Sequence, residues 1–92
     1  MDAYEESETI LSTREGGDWH EKTTWIGRKV PDQNDRVFLN GIVEVRKNAE
    51  CSVLVIENNA EFVVEPDAQF VVKTFENYGS FSEIGNMRIL DQ

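Results

Sequence analysis

From Val37 onward, apolar and polar positions recur at a fixed step. Val43, Phe62 and Phe81 are spaced by 19 residues, as are Val37, Ile56 and Phe75, and Cys51, Phe70 and Ile89. Turn residues keep the same phase: Gly41, Ala60 and Gly79; Asn48, Asp67 and Asn86; Ala49, Ala68 and Met87. A period near 20 residues that carries both core and turn positions is the mark of a stacked β-solenoid. Within each period, apolar residues alternate with polar ones, at Val43/Val45, Phe62/Val64, Phe70/Val72 and Cys51/Val53/Val55. This predicts three short strands per rung, in the first rung about 37–39, 42–46 and 51–56. The predicted fold is all-β: a short three-rung β-solenoid with 19-residue rungs at 37–55, 56–74 and 75–92. Rungs stack about 4.8 Å apart. A strict period places Val37 over Ile56 over Phe75, Glu57 over Glu76 and Asn58 over Asn77.

Upstream the pattern changes. Residues 1–16 carry five acids, Asp2, Glu5, Glu6, Glu8 and Glu15, against Arg14, with Ile10-Leu11 as their apolar pair. This composition predicts a disordered tail, with Thr9–Thr13 as a short edge strand. Residues 17–36 hold both tryptophans and fit neither a helical nor a strand period. The end of a solenoid exposes an apolar cross-section and an open strand edge. The 17–36 segment is therefore expected to be an irregular N-terminal cap, with Trp19 and Trp25 covering that cross-section. At the far end Glu83 and Asp91 replace the valines of the earlier rungs, as a C-terminal cap or an interrupted array would require.

Composition narrows the partners. Nine basic residues against 18 acidic ones leave a net charge of −9, which repels nucleic acid and anionic membranes. Acid-rich surfaces remain compatible with neutral sugars, basic proteins, or mimicry of nucleic acid. One cysteine, Cys51, excludes an internal disulfide, and its place in the repeat marks it as core. No run approaches the roughly 18 apolar residues of a membrane span, and the acidic start lacks the features of a signal peptide. The cytoplasm is expected if Met1 is the native start.

The segment Gly17-x-Trp19, Trp25-x-Gly27, Pro31, Asp35-x-Val37-x-Leu39 and Gly41-x-Val43-x-Val45 resembles the opening of β-solenoid modules in secreted bacterial surface proteins and adhesins. It is also similar to the extracellular domain named for its eight glycines. The resemblance covers residues 17 to about 65. It implies a right-handed β-helix-like module for binding or display outside the cell. Six glycines in all, and Arg28-Lys29 in place of neutral residues, depart from those families and bear on location more than on fold.

Candidate chemistry is sparse. Trp19 and Trp25, with Asp18, His20 and Glu21 beside them, could stack on a sugar ring while the polar groups hold its hydroxyls. The better reading of the same rings is that they close the end of the solenoid, since a cap is needed and nothing else in the chain is large enough. His20, the lone histidine, lacks the companions for a zinc site or a catalytic triad. Asp32, Asn34 and Asp35 space oxygens as calcium would accept, but lack the glycine and final glutamate of a calcium loop, so a turn is the better reading. Stacked Glu57 and Glu76 present a solvated acidic face, since three rungs are too short for a glycosidase groove. The expectation is a module that is not an enzyme and needs no cofactor or metal. It is a structural or adhesive binding module for carbohydrate or protein, with Trp19, His20 and Trp25 as candidate ligand contacts. The alternatives are a small self-assembling subunit of a phage- or fibre-like structure, or an accessory domain of a larger carbohydrate-active enzyme.

Overall fold

Alternating β-branched and aromatic residues build strands along the whole described chain, and each strand pairs in parallel with the strand two places away. The structure is a computed structural model that describes residues 8–90. The strands are β1 (Thr9–Leu11), β2 (Gly17–Asp18), β3 (Arg36–Leu39), β4 (Ile42–Val45), β5 (Ala49–Ile56), β6 (Glu61–Val64), β7 (Gln69–Asn77), β8 (Ser80–Glu83) and β9 (Asn86–Ile89), with one 3-10 turn at Lys22–Thr24. Odd strands form a five-stranded sheet, β1-β3-β5-β7-β9, and even strands a four-stranded sheet, β2-β4-β6-β8. The chain is thus all-β, crossing between two parallel sheets after each strand.

Part of the tail expected at 1–16 falls on residues 1–7, which lie outside the described residues, as does the Asp91 position. The short edge strand expected from Thr9 exists as β1, paired with β3 through Ile10↔Val37. Ile10 is buried there.

The 19-residue step holds in one sheet only. In the even sheet Val43 pairs with Phe62 and Phe62 with Phe81, as the period predicts. In the odd sheet the step alternates. Val37 lies beside Leu54 and Leu54 beside Phe75, steps of 17 and 21. Cys51 pairs with Val72 and Val72 with Ile89, steps of 21 and 17. The expected stacks of Val37 on Ile56 and Cys51 on Phe70 are therefore displaced by two residues. Glu76 pairs with Val55 rather than standing over Glu57, and Asn77 pairs with Ile56 rather than with Asn58.

The corners explain the alternation. β3 joins β4 through two residues and β7 joins β8 through two, whereas β5 joins β6 through four, Glu57–Ala60. On the other side β6 joins β7 through four residues, Glu65–Ala68, and β8 joins β9 through two. Both four-residue corners close as β-turns, with Ala60 N donating to Glu57 O at 3.0 Å and Ala68 N to Glu65 O at 3.0 Å. The lengthened middle corners average to 19 with their neighbours. Because every shift is even, each side chain keeps its inward or outward face.

Gly79 and Gly85 occupy the short corners that lie directly on these turns. A Cβ at Gly79 would strike the carbonyls of Ala60 and Glu57, and one at Gly85 those of Glu65 and Ala68. Inward residues form one core cluster that includes Val37, Leu39, Val43, Leu54, Ile56, Phe62, Phe70 and Val72.

Candidate functional site

The 17–36 segment, expected to be irregular throughout, begins with β2, which pairs with β4, and holds the 3-10 turn, and the rest up to β3 is positioned by separate backbone and side-chain hydrogen bonds. Thr13 N donates to Thr24 O at 2.8 Å and Ile26 N to Leu11 O at 2.9 Å, flanking an antiparallel bridge between Ser12 and Trp25. These bonds cover the outer edge of β1. Trp25-Ile26-Gly27-Arg28 then turns back, with Arg28 N donating to Trp25 O at 3.0 Å and Gly27 at φ +91°, the conformation a type II turn demands at its third residue. This is the physical reason for glycine in Trp25-x-Gly27, since a Cβ there would meet only open space.

Asp35 holds the end of the segment. Its buried carboxylate accepts from Glu8 N at 3.1 Å and Asp32 N at 2.9 Å and lies 3.4 Å from the Lys29 ammonium. Asp32 in turn accepts from Asn34 N at 2.9 Å. Asp32 and Asp35 thus spend carboxylate oxygens on backbone amides, as an Asx turn does. Lys29 also meets Glu8 at 3.1 Å, and that hydrogen bond chiefly raises the lysine pKa, with Asp35 adding to it. Among the described residues no three His, Cys, Asp or Glu side chains converge to hold a metal ion.

The three residues singled out as ligand contacts separate. Trp19 and Trp25 are 0% and 1% exposed, in an edge-to-face pair with centroids 5.0 Å apart. Trp19 also stands edge-to-face with Phe70 at 5.1 Å. Neither indole offers a face to a sugar, so the stacking expectation is corrected: both rings lie inside the hydrophobic core. His20 alone is exposed, with Nε2 at 3.2 Å from Asn48 O and 3.3 Å from Lys47 O.

The two indole N–H groups differ. Trp25 Nε1 donates to Trp19 O at 2.8 Å. Trp19 Nε1 is buried with no hydrogen-bond partner, the sole such side-chain atom among the described residues. Buried donors are almost always paired, and leaving one unpaired costs about 1–3 kcal/mol.

Trp19 lines a cleft of about 430 Å³ that opens between the Pro31–Gln33 loop, His20, and the start of β5 and β7. Asn48 Oδ1 accepts from Gln69 N at 2.9 Å and ties the two strands together at its rim. Gln33, Glu50 and Gln69 were not singled out from the sequence. Only the 21-residue register brings Asn48 beside Gln69, and a strict 19-residue step puts Asp67 there instead. A wider groove of about 730 Å³ lies between Arg14, Asn40 and the Glu57–Ala60 turn, without an orphaned buried donor in its lining.

Cys51 is buried, and desolvation is the main cause that pushes its thiol pKa far up, with Asp35 and Glu50 adding to it. It is a packing residue. Among the described residues no helix is long and apolar enough to cross a membrane. Comparison with protein-family models, curated proteins and solved structures found no match to this chain.

Proposed function

We propose that the chain is a three-rung β-solenoid with a lengthened middle rung, serving without catalysis as a structural binding module that docks a second copy of itself. One observation carries this reading: among the described residues the end near β9 is open while the end near β1 is closed. Phe75, Phe81, Met87 and Ile89 are only half-buried against the core, whereas Trp19 and Trp25 are sealed. Ile84 and Leu90 are 61% and 56% exposed beside them. Along β8, β9 and the second half of β7, one edge faces no further strand among the described residues. Unpaired edges of this kind readily add another strand.

Charge favours a second copy as the occupant. The 17 residues Thr74–Leu90 hold three charges, Glu76, Glu83 and Arg88, for a net −1, in a chain whose total is −9. Two such chains meet with least repulsion at this end. A two-fold contact sets the edge of β9 antiparallel to its own counterpart, an isologous arrangement that closes after two copies. The absence of catalysis rests on the buried Cys51 thiol and on His20 resting against backbone carbonyls.

Sedimentation equilibrium across micromolar concentrations tests the reading. The wild-type chain is expected to dimerise, and Ile84→Lys/Leu90→Lys to remain monomeric with unchanged circular dichroism. A wild-type chain that stays monomeric, or a doubly substituted chain that still dimerises, overturns it.

A further inference from the structure

We propose that the groove beside the lengthened β5–β6 corner binds a short peptide with free termini, its carboxylate on Arg14 and its ammonium on Glu57. The corners stack along one side of the molecule. A Cβ at Gly41 would strike the carbonyls of Thr13 and Arg14, and the Gly41 carbonyl itself accepts from Glu61 N at 3.1 Å, just past the Glu57–Ala60 turn. The neighbouring corners in this stack, Asn40-Gly41 and Tyr78-Gly79, have two residues, so the four-residue turn carries Asn58 and Asn59 as an insertion at its tip. With Arg14, Ile26 and Asn40 they line the groove of about 730 Å³. Residues inserted into one repeat of a solenoid gather on loops of a single face, often the binding face. The volume falls among small-molecule sites, which span about 300–1,000 Å³.

The lining chemistry selects the ligand. Arg14, Ile26, Asn58 and Asn59 are exposed, and Asn40 and Glu57 are half-buried, so each of these side chains reaches solvent. Among the described residues, the side chains of Arg14, Asn40, Glu57, Asn58 and Asn59 have no hydrogen-bond or ion-pair partner. A guanidinium takes a carboxylate through two parallel N–H···O bonds. Carboxamides both donate and accept, as peptide groups do. Ile26, 60% exposed, offers aliphatic surface to a side chain, and Glu57 receives the cationic end. One guanidinium and one carboxylate match a ligand with one charge of each sign, and the net charge of −9 disfavours a polyanion. Spacing sets the length. Arg14 and Glu57 stand two corner levels apart, about 10 Å at the separation of paired strands, which is the reach of about three extended residues.

The groove lies at the corners that follow β1, β3 and β5, and β1 and β9 are opposite edges of the odd sheet, so binding here does not require association through β9. The probes are the tripeptides Ala-Leu-Ala, Leu-Ala-Leu and Phe-Ala-Leu, each also as its N-acetyl and its C-terminal amide form. Binding is followed by calorimetry and by backbone amide chemical shifts. At least one unmodified tripeptide is expected to bind saturably at millimolar concentration or below and to shift the amides of Asn58 and Asn59. Amidation is expected to weaken it about tenfold, the loss of one charge-assisted contact, and acetylation several-fold. Arg14→Gln is expected to erase the difference between acid and amide while leaving the effect of acetylation, and Glu57→Gln to do the reverse. No saturable binding of any tripeptide overturns the proposal, and so does binding that neither amidation nor Arg14→Gln changes.

Discussion

The two ends of this molecule face the same physical problem and differ in how they meet it. A parallel sheet must stop somewhere, leaving apolar residues and backbone groups exposed. At the β1 end, residues 24–26 run antiparallel along the edge strand, and two indoles fill the cross-section. At the β9 end no described residue runs along the outer strand edge, Phe81 stacks on Phe62 at 5.9 Å, and the apolar side chains stay partly exposed. The difference teaches that closing an end takes large rings and an irregular segment to supply hydrogen bonds.

The largest effect that could break this comparison lies in the indoles. Trp25→Ala removes a fully buried ring and the bond to Trp19 O, and is expected to destabilise by about 3–5 kcal/mol in denaturant titration. Phe81→Ala, at the half-buried open end, should cost clearly less, about 1–2 kcal/mol. Equal costs would mean that both ends are packed alike.

Gly85→Ala sharpens the corner argument. Its Cβ would meet the Glu65 carbonyl, a backbone atom that cannot rotate away, so a loss of about 1–3 kcal/mol is expected from thermal melts. Gly27→Ala, in open space, should lose stability only through its positive φ, about 1 kcal/mol.

Cys51 tests the dryness of the interior between the ends. Burial raises its native pKa above the ordinary 9.0, so the unfolded thiol ionises first as pH climbs. Its contribution is whole below about pH 9 and declines as pH rises further. Cys51→Ala should flatten that alkaline decline relative to wild type, and the native thiol should resist alkylation at neutral pH. Rapid alkylation of folded protein would contradict the burial.

The smallest effect belongs to the outer faces. Phe38 points outward, between Leu11 and Val55 in the pairing, and is only half-buried. Phe38→Ser is expected to cost less than about 1 kcal/mol. A larger loss would mean that the outer stripe of Leu11, Phe38 and Val55 behaves as a second core.

The sequence by itself determined the faces of the strands. Alternation placed Val37, Val43, Phe62 and Phe70 inward and Phe38 and Glu44 outward, because a period of two survives any even slip in pairing. Tertiary structure alone decided the register. The two extra residues in each middle corner, Glu57–Ala60 and Glu65–Ala68, do not disturb local alternation, so nothing in the pattern separates steps of 17 and 21 from a uniform 19. That register sets Asn48 beside Gln69 and so forms the rim of the cleft. The fate of the tryptophans was also decided in three dimensions. An indole beside Asp18, His20 and Glu21 reads the same whether it faces solvent or the core, and the space left beyond Phe62 and Phe70 drew both rings inside.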